Sequence, residues 1–146
     1  MFVRGLGALC LCSLFVATSS ATATGRDRPV KEHVDLVLVK KSGMTKFEHK
    51  GRATGTVAGT VRSRITLTHS VVLKGTVTIT TAAGAVRMTV DGRARSLGLR
   101  TKFTGKATIA GGTGRYAKAT GVGRFTGVVN RDTWHATIDA TGTYRY

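Results

Sequence analysis

The stretch Gly105-Lys-Ala-Thr-Ile-Ala-Gly-Gly-Thr-Gly-Arg-Tyr-Ala-Lys-Ala-Thr-Gly121 says most about the fold of this 146-residue chain. It contains an alternating apolar and polar segment, a run of glycines, a short alanine-rich link and the start of a second alternating segment. Alternation with a period of two indicates a β-strand with one buried face, and clustered glycines indicate a tight connection. The stretch therefore predicts two strands of a β-meander or barrel.

The same alternation continues through most of the chain from His33 onward, and no ten-residue window has a convincing helical period. Turn signals such as Asp91-Gly92 separate the runs. About eight strands follow, which is the number expected of a closed antiparallel barrel or a sandwich. Glycines inside the predicted strands suit a strongly coiled barrel wall. Two of the predicted strands contain the same short sequence, Phe103-Thr-Gly and Phe125-Thr-Gly.

The first 23 residues have the features of a cleaved signal peptide. Arg4 precedes an apolar run, and Ala21-Thr22-Ala23 is a small-x-small cleavage site. The run is shorter than the roughly 18 residues of a membrane helix, which makes an uncleaved anchor the weaker alternative. The chain is thus predicted to be secreted, and its two cysteines, Cys10 and Cys12, both lie in the removed segment. No disulfide or cysteine site is expected in the mature protein.

The remaining residues are predicted to form one domain. Residues 24–32 hold the only proline, Pro29, and are interpreted as a flexible leader. Residues 33–146 then form a single barrel, since a chain of this length can bury one core.

Positive charge dominates, with 23 Lys and Arg residues against 7 Asp and Glu and a formal net charge of +16. Such a charge attracts polyanions in a salt-dependent way, although solubility in a saline or acidic environment explains it equally well. Basic residues on the polar face of the strands predict, as an alternative function, a cell-surface protein whose outer wall binds anionic polymers or an anionic membrane, although a simply solvated surface is the commoner case. Nucleic acid is not favoured, because exposed aromatic residues for base stacking are missing. The basic residues are Arg62, Arg64, Lys74, Arg87, Lys102, Lys106 and Arg145.

Residues 103–123 resemble the signature strand–GGTGxY–xxAxG–strand of the allene oxide cyclase and dirigent barrel superfamily, and they are most similar to its secreted bacterial members. The strong part of the resemblance covers residues 100–146. It implies an all-β fold, an eight-stranded antiparallel barrel with an apolar interior, often assembled as dimers or trimers.

The apolar face interleaves small residues with aromatic ones. Such a face can fill a tapered barrel completely, or its small residues can leave a pocket that the aromatic rings line. In the second case the predicted ligand is an apolar small molecule. His69 has the parity of neighbouring apolar residues, although a hydrogen-bonded histidine at a strand end is the commoner case. The predicted lining residues are Phe103, Phe125, Trp134, Tyr144 and His69.

The sequence offers little for catalysis. Gly112 and Gly114 imitate a dinucleotide motif, but no helix follows them. The histidines lack the spacing of metal ligands, so neither a metal nor a cofactor is predicted. The acidic residues fall on polar faces, in turns or near the start of the domain, whereas acid–base catalysis needs a titratable group in the pocket. The sequence therefore favours a binding function over catalysis. An isomerase of the cyclase type or a dirigent-type enzyme is a third hypothesis.

Overall fold

The computed structural model describes residues 25–146, which form a closed barrel of eight antiparallel strands. This confirms the predicted all-β, eight-stranded antiparallel barrel. Each strand pairs with the next along the chain, and β1 pairs with β8 to close the barrel. The signal peptide prediction, including Cys10 and Cys12, lies outside the described residues. The strands are β1 (Arg28–Ser42), β2 (Lys46–Gly55), β3 (Gly59–Thr68), β4 (Val72–Thr81), β5 (Gly84–Ala94), β6 (Arg100–Gly112), β7 (Thr120–Asn130) and β8 (Ala136–Arg145).

Alternation places one face of every strand inside the barrel. Val34 and Leu36 of β1, Val61 of β3 and Ile79 of β4 are buried in one continuous core, while their neighbours along each strand face solvent. Glycines allow the wall to coil tightly. A Cβ on Gly75, for example, would lie 2.0 Å from the carbonyl oxygen of the neighbouring strand, so no larger residue fits there.

One end of the barrel, the closed end, is covered by the β2–β3 connection and by the segment between β6 and β7. This segment contains a 3₁₀ turn, η1 (Gly114–Tyr116). Val57, Tyr116 and Ala119 are buried in these connections and join the core. Gly114 has a φ of +57°, and a Cβ on it would lie 2.5 Å from the Ala83 carbonyl oxygen. The glycine-rich stretch that predicted a tight connection thus packs the base of the barrel. Within the described residues, no helix is long and apolar enough to cross a membrane.

The start of the barrel differs from the prediction. Strand β1 begins at Arg28, so residues 28–32 of the predicted flexible leader belong to the wall. They pair with β8 from Arg28↔Tyr144 onward, which is the pairing that closes the barrel. Pro29 is tolerated because β1 pairs only with β8 at this position, and its pairing with β2 begins at Glu32. The leader interpretation was wrong for these residues, because the proline was taken as a sign of a flexible segment although the apolar and polar alternation continues through it.

Candidate ligand-binding cavity

The barrel encloses one continuous cavity of about 210 Å³, lined mainly by apolar side chains from all eight strands. Val34, Val77 and Met88 are among the lining residues. The cavity reaches the connections at the end opposite the closed end, here called the open end. Leu97 in the β5–β6 connection lines the cavity and is 67% exposed, so the cavity meets solvent at this end.

Two phenylalanines partly fill the interior. Phe103 and Phe125 line the cavity as predicted, with ring centroids 6.1 Å apart in an edge-on arrangement. Phe103 pairs across the strands with Gly127, and Phe125 pairs with Gly105. The two Phe-Thr-Gly sequences therefore pair with each other in antiparallel orientation, and each phenylalanine ring covers the glycine of the other strand. Rings over glycines remove part of the interior volume, and the remaining cavity lies beside them.

Trp134 lies at the open end, where it lines the cavity as predicted. Its ring stacks on Phe47 with centroids 4.6 Å apart, and the Lys41 ammonium lies 4.9 Å from the indole centroid. Trp134 belongs to the β7–β8 connection and has a φ of +56°. Phe47 was missed, although it alternates with buried His49 in β2.

Two predicted lining residues lie elsewhere. Tyr144 is buried in the core at the closed end and stacks on Tyr146, with centroids 5.1 Å apart. His69 is exposed in the β3–β4 connection, with a φ of +51°. Both placements correct the prediction. Residue parity identifies the face of a strand, but it specifies neither the height along the barrel axis nor the point where the strand ends.

A buried carboxyl group lies in the cavity, and the sequence analysis did not find it. Glu32 lines the cavity and is only 6% exposed. Its Oε1 accepts a hydrogen bond from the Val57 backbone N–H at 2.5 Å, whereas Oε2 has no partner among the described residues. Burial raises the pKa of Glu32, against the opposing effect of the backbone N–H groups of Val57 and Thr56. The expectation that no acidic residue faces the interior was wrong.

A second buried polar group, His49, lines the same cavity at 9% exposure. Its Nδ1 lies 3.5 Å from the Ser63 hydroxyl oxygen, and its Nε2 has no partner in residues 25–146. Burial lowers the pKa of His49 and so favours the neutral imidazole. Glu32 pairs with Gly55, six residues beyond His49 in β2, which is about 20 Å along the strand. The two groups therefore lie at different depths of the cavity.

The described residues were compared with the requirements of a metal site, and the chain was compared with known proteins. Within the described part of the chain, no three His, Cys, Asp or Glu residues are grouped to hold a metal ion. No family model, curated protein or solved structure matches the chain.

The predicted polyanion-binding residues are all exposed, but they are distributed over five strands. Three have a carboxylate partner: Arg64 with Glu48 at 3.9 Å, Lys74 with Asp91 at 3.5 Å and Arg145 with Asp27 at 2.8 Å. The others are Arg62, Arg87, Lys102 and Lys106.

A shallow groove crosses the outer face of β4, β5 and β6. Lys74 and Lys106 line it together with Arg93 and Arg95, and Asp91 is the acidic residue among them. The backbone of glycines in these three strands also lines the groove. The sequence analysis did not find Arg93 and Arg95. Their convergence depends on the pairing of three strands, which parity alone does not give.

Proposed function

We propose that this protein is a secreted binding module that holds a mainly apolar small molecule inside its barrel. The observation that carries the proposal is the continuous cavity inside the barrel, closed at one end, open near Trp134 and lined mainly by apolar side chains. Small-molecule sites are typically concave and apolar, with a few polar groups that orient the ligand. Glu32 and His49 supply such groups.

Membership of the allene oxide cyclase and dirigent superfamily is part of this proposal. The closed barrel of eight strands and the glycine-rich segment Gly111–Gly121 at its base support it. Secretion is supported by the features of residues 1–23. A homodimer or homotrimer is what the resemblance implies for assembly.

The test begins with native mass spectrometry of the protein purified from its own host and washed in high salt. We expect a reproducible adduct of small-molecule mass. Uptake of a neutral apolar dye such as Nile red provides a second measurement. Ala107 lines the cavity, whereas Ala110 of the same strand faces solvent. Ala107→Phe should weaken dye binding by an order of magnitude or more, while Ala110→Phe should not.

Two outcomes would contradict the binding function. The first is a bare protein mass combined with no dye uptake. The second is equal dye binding by Ala107→Phe and Ala110→Phe when circular dichroism shows both variants folded.

A second candidate function is binding of anionic polymers, favoured by the groove with Lys74, Arg93, Arg95 and Lys106. Binding of this kind weakens steeply as salt rises, whereas an apolar ligand stays bound. Titration with polyphosphate at increasing salt tests it, and binding that is insensitive to salt would contradict it.

The enzyme hypothesis is favoured by one observation, the buried Glu32. Acid–base catalysis needs a titratable group within reach of the ligand. The test compares the mass of the molecule bound to wild type with that bound to Glu32→Gln, both made in the native host. Different masses would support chemistry at Glu32, and identical masses would support binding alone.

A further inference from the structure

We propose that the ligand of the barrel is an uncharged molecule polar at both ends, an apolar chain with a hydroxyl or similar oxygen group at each terminus, one bonded to Glu32 and the other to His49. The inference rests on the proposed binding function and deepens it by naming the chemical class of the ligand.

The first step is the hydrogen bonding of the buried polar side chains. Buried polar groups in proteins are nearly always hydrogen-bonded, and leaving one unpaired is costly. Four polar or charged residues are buried in the described part of the chain: Glu32, His49, Ser63 and Thr101. Thr101 donates to the Gly98 carbonyl oxygen at 3.0 Å, and Ser63 contacts His49. Among the buried side-chain polar atoms of residues 25–146, only Glu32 Oε2 and His49 Nε2 are without a partner, and both residues line the cavity.

The second step is the distance between the two atoms. The residues are separated by about 20 Å along β2, so one small polar group cannot reach both. Side chains between them, such as Val34, Val61 and Ile79, are apolar. A ligand that satisfies both atoms is therefore elongated, apolar in the middle and polar at its two ends.

The third step concerns charge. Burial raises the pKa of Glu32 and lowers that of His49, so it disfavours the charged form of each. A hydroxyl both donates and accepts. It can therefore pair with a carboxyl or a carboxylate at one end and with either imidazole tautomer at the other. An uncharged oxygen group matches both protonation states at either site, whereas a charged end group suits only one of them and also loses hydration on entering the mainly apolar cavity.

Water is the competing occupant of the two atoms. A buried water is well held when it makes about three hydrogen bonds to polar groups. At each position the cavity offers one buried side-chain atom without a partner, and most of the surrounding wall is apolar. Single waters would therefore be poorly held, and a ligand that brings its own apolar chain is favoured.

The experiment uses the full protein from its host, freed of bound molecules, and three probes of equal length: 1,12-dodecanediol, 1-dodecanol and dodecane. Displacement of Nile red gives the three affinities. Glu32→Leu and His49→Phe should each weaken diol binding about five- to tenfold, the effect of one lost hydrogen bond. Neither should weaken dodecane binding. Glu32→Gln and His49→Gln keep polar atoms and should retain most of the diol affinity.

Glu48→Leu is the matched control, because Glu48 precedes His49 in β2 and is only partly buried, outside the cavity lining. It should leave all three affinities unchanged. If every probe binds wild type but neither Glu32→Leu nor His49→Phe changes the ratio of diol to dodecane affinity, the inference is overturned while the binding function stands. If Nile red does not bind wild type, the binding function itself fails, and if the dye binds but no probe displaces it, the inference is overturned while the binding function stands. Tighter binding of 1,12-diaminododecane than of the diol would overturn the inference that the end groups of the ligand are uncharged.

Discussion

Replacing Gly127 with alanine tests how the aromatic rings and glycines share the interior. A Cβ at this position would lie 2.4 Å from Phe103 Cζ, 2.7 Å from Phe103 Cε2 and 2.8 Å from the Thr137 carbonyl oxygen. Phe103 is only 7% exposed, so its ring cannot swing into solvent. We expect Gly127→Ala to lower the free energy of unfolding by about 1–3 kcal/mol, the usual cost of overpacking.

Removing the ring should relieve most of this cost. Phe103→Ala alone should cost about 3–5 kcal/mol, as large-to-small core substitutions do. In the Phe103→Ala background, Gly127→Ala then meets chiefly the Thr137 oxygen. The double variant should therefore be about 1–2 kcal/mol more stable than the sum of the two single effects predicts, a coupling typical of residues in contact.

Urea unfolding followed by the fluorescence of Trp134, the only tryptophan, and by circular dichroism gives the four free energies of the cycle. Gly98→Ala is the control, because a Cβ there meets no atom within 4 Å. It should change stability by less than about 0.5 kcal/mol. Additivity of Gly127→Ala and Phe103→Ala within about 0.5 kcal/mol would refute the pairing of ring and glycine.

The remaining predictions concern pH, the open end and the outer wall. Folding lowers the pKa of His49 from its ordinary value of 6.5, so the folded state binds fewer protons than the unfolded state below that pH. Stability therefore falls as the pH drops through this range. His49→Phe should flatten this part of a plot of urea midpoint against pH. Trp134→Ala should speed ligand release about tenfold in stopped-flow dye displacement, since the ring lines the cavity at its open end. Polyphosphate affinity should fall more for Arg93→Gln, in the groove, than for Arg62→Gln outside it, and equal losses would contradict a localised site.

Most of the fold could be predicted because alternation is a local property of the chain. A strand with one buried face must repeat every second residue, and each turn interrupts the pattern. Such signals predict the number of strands, their antiparallel order and the tight segment at residues 111–121. They do not predict the closure between β1 and β8, because it joins the two ends of the domain through a register that no local pattern encodes.

The site was less predictable, and Glu32 explains why. It has the parity of Val34 and Leu36, but a charged residue beside Pro29 was assigned to a leader. Burial of a carboxyl group opposes the general preference for charged residues outside, so its position emerges only from the pairing with β8 and the contact with Val57.

Whether the barrel is hollow or filled depends on pairing across strands and not on composition. The repeated Phe-Thr-Gly places a ring and a glycine on the same face of β6 and of β7. In the observed register, residue numbers across this pair sum to a constant, so Phe103 meets Gly127 and Phe125 meets Gly105. A shift of two residues would place the two rings opposite each other and the glycines apart, which would block the interior beside the rings. The observed register instead stacks each ring over a glycine, and the cavity occupies the space beside the rings.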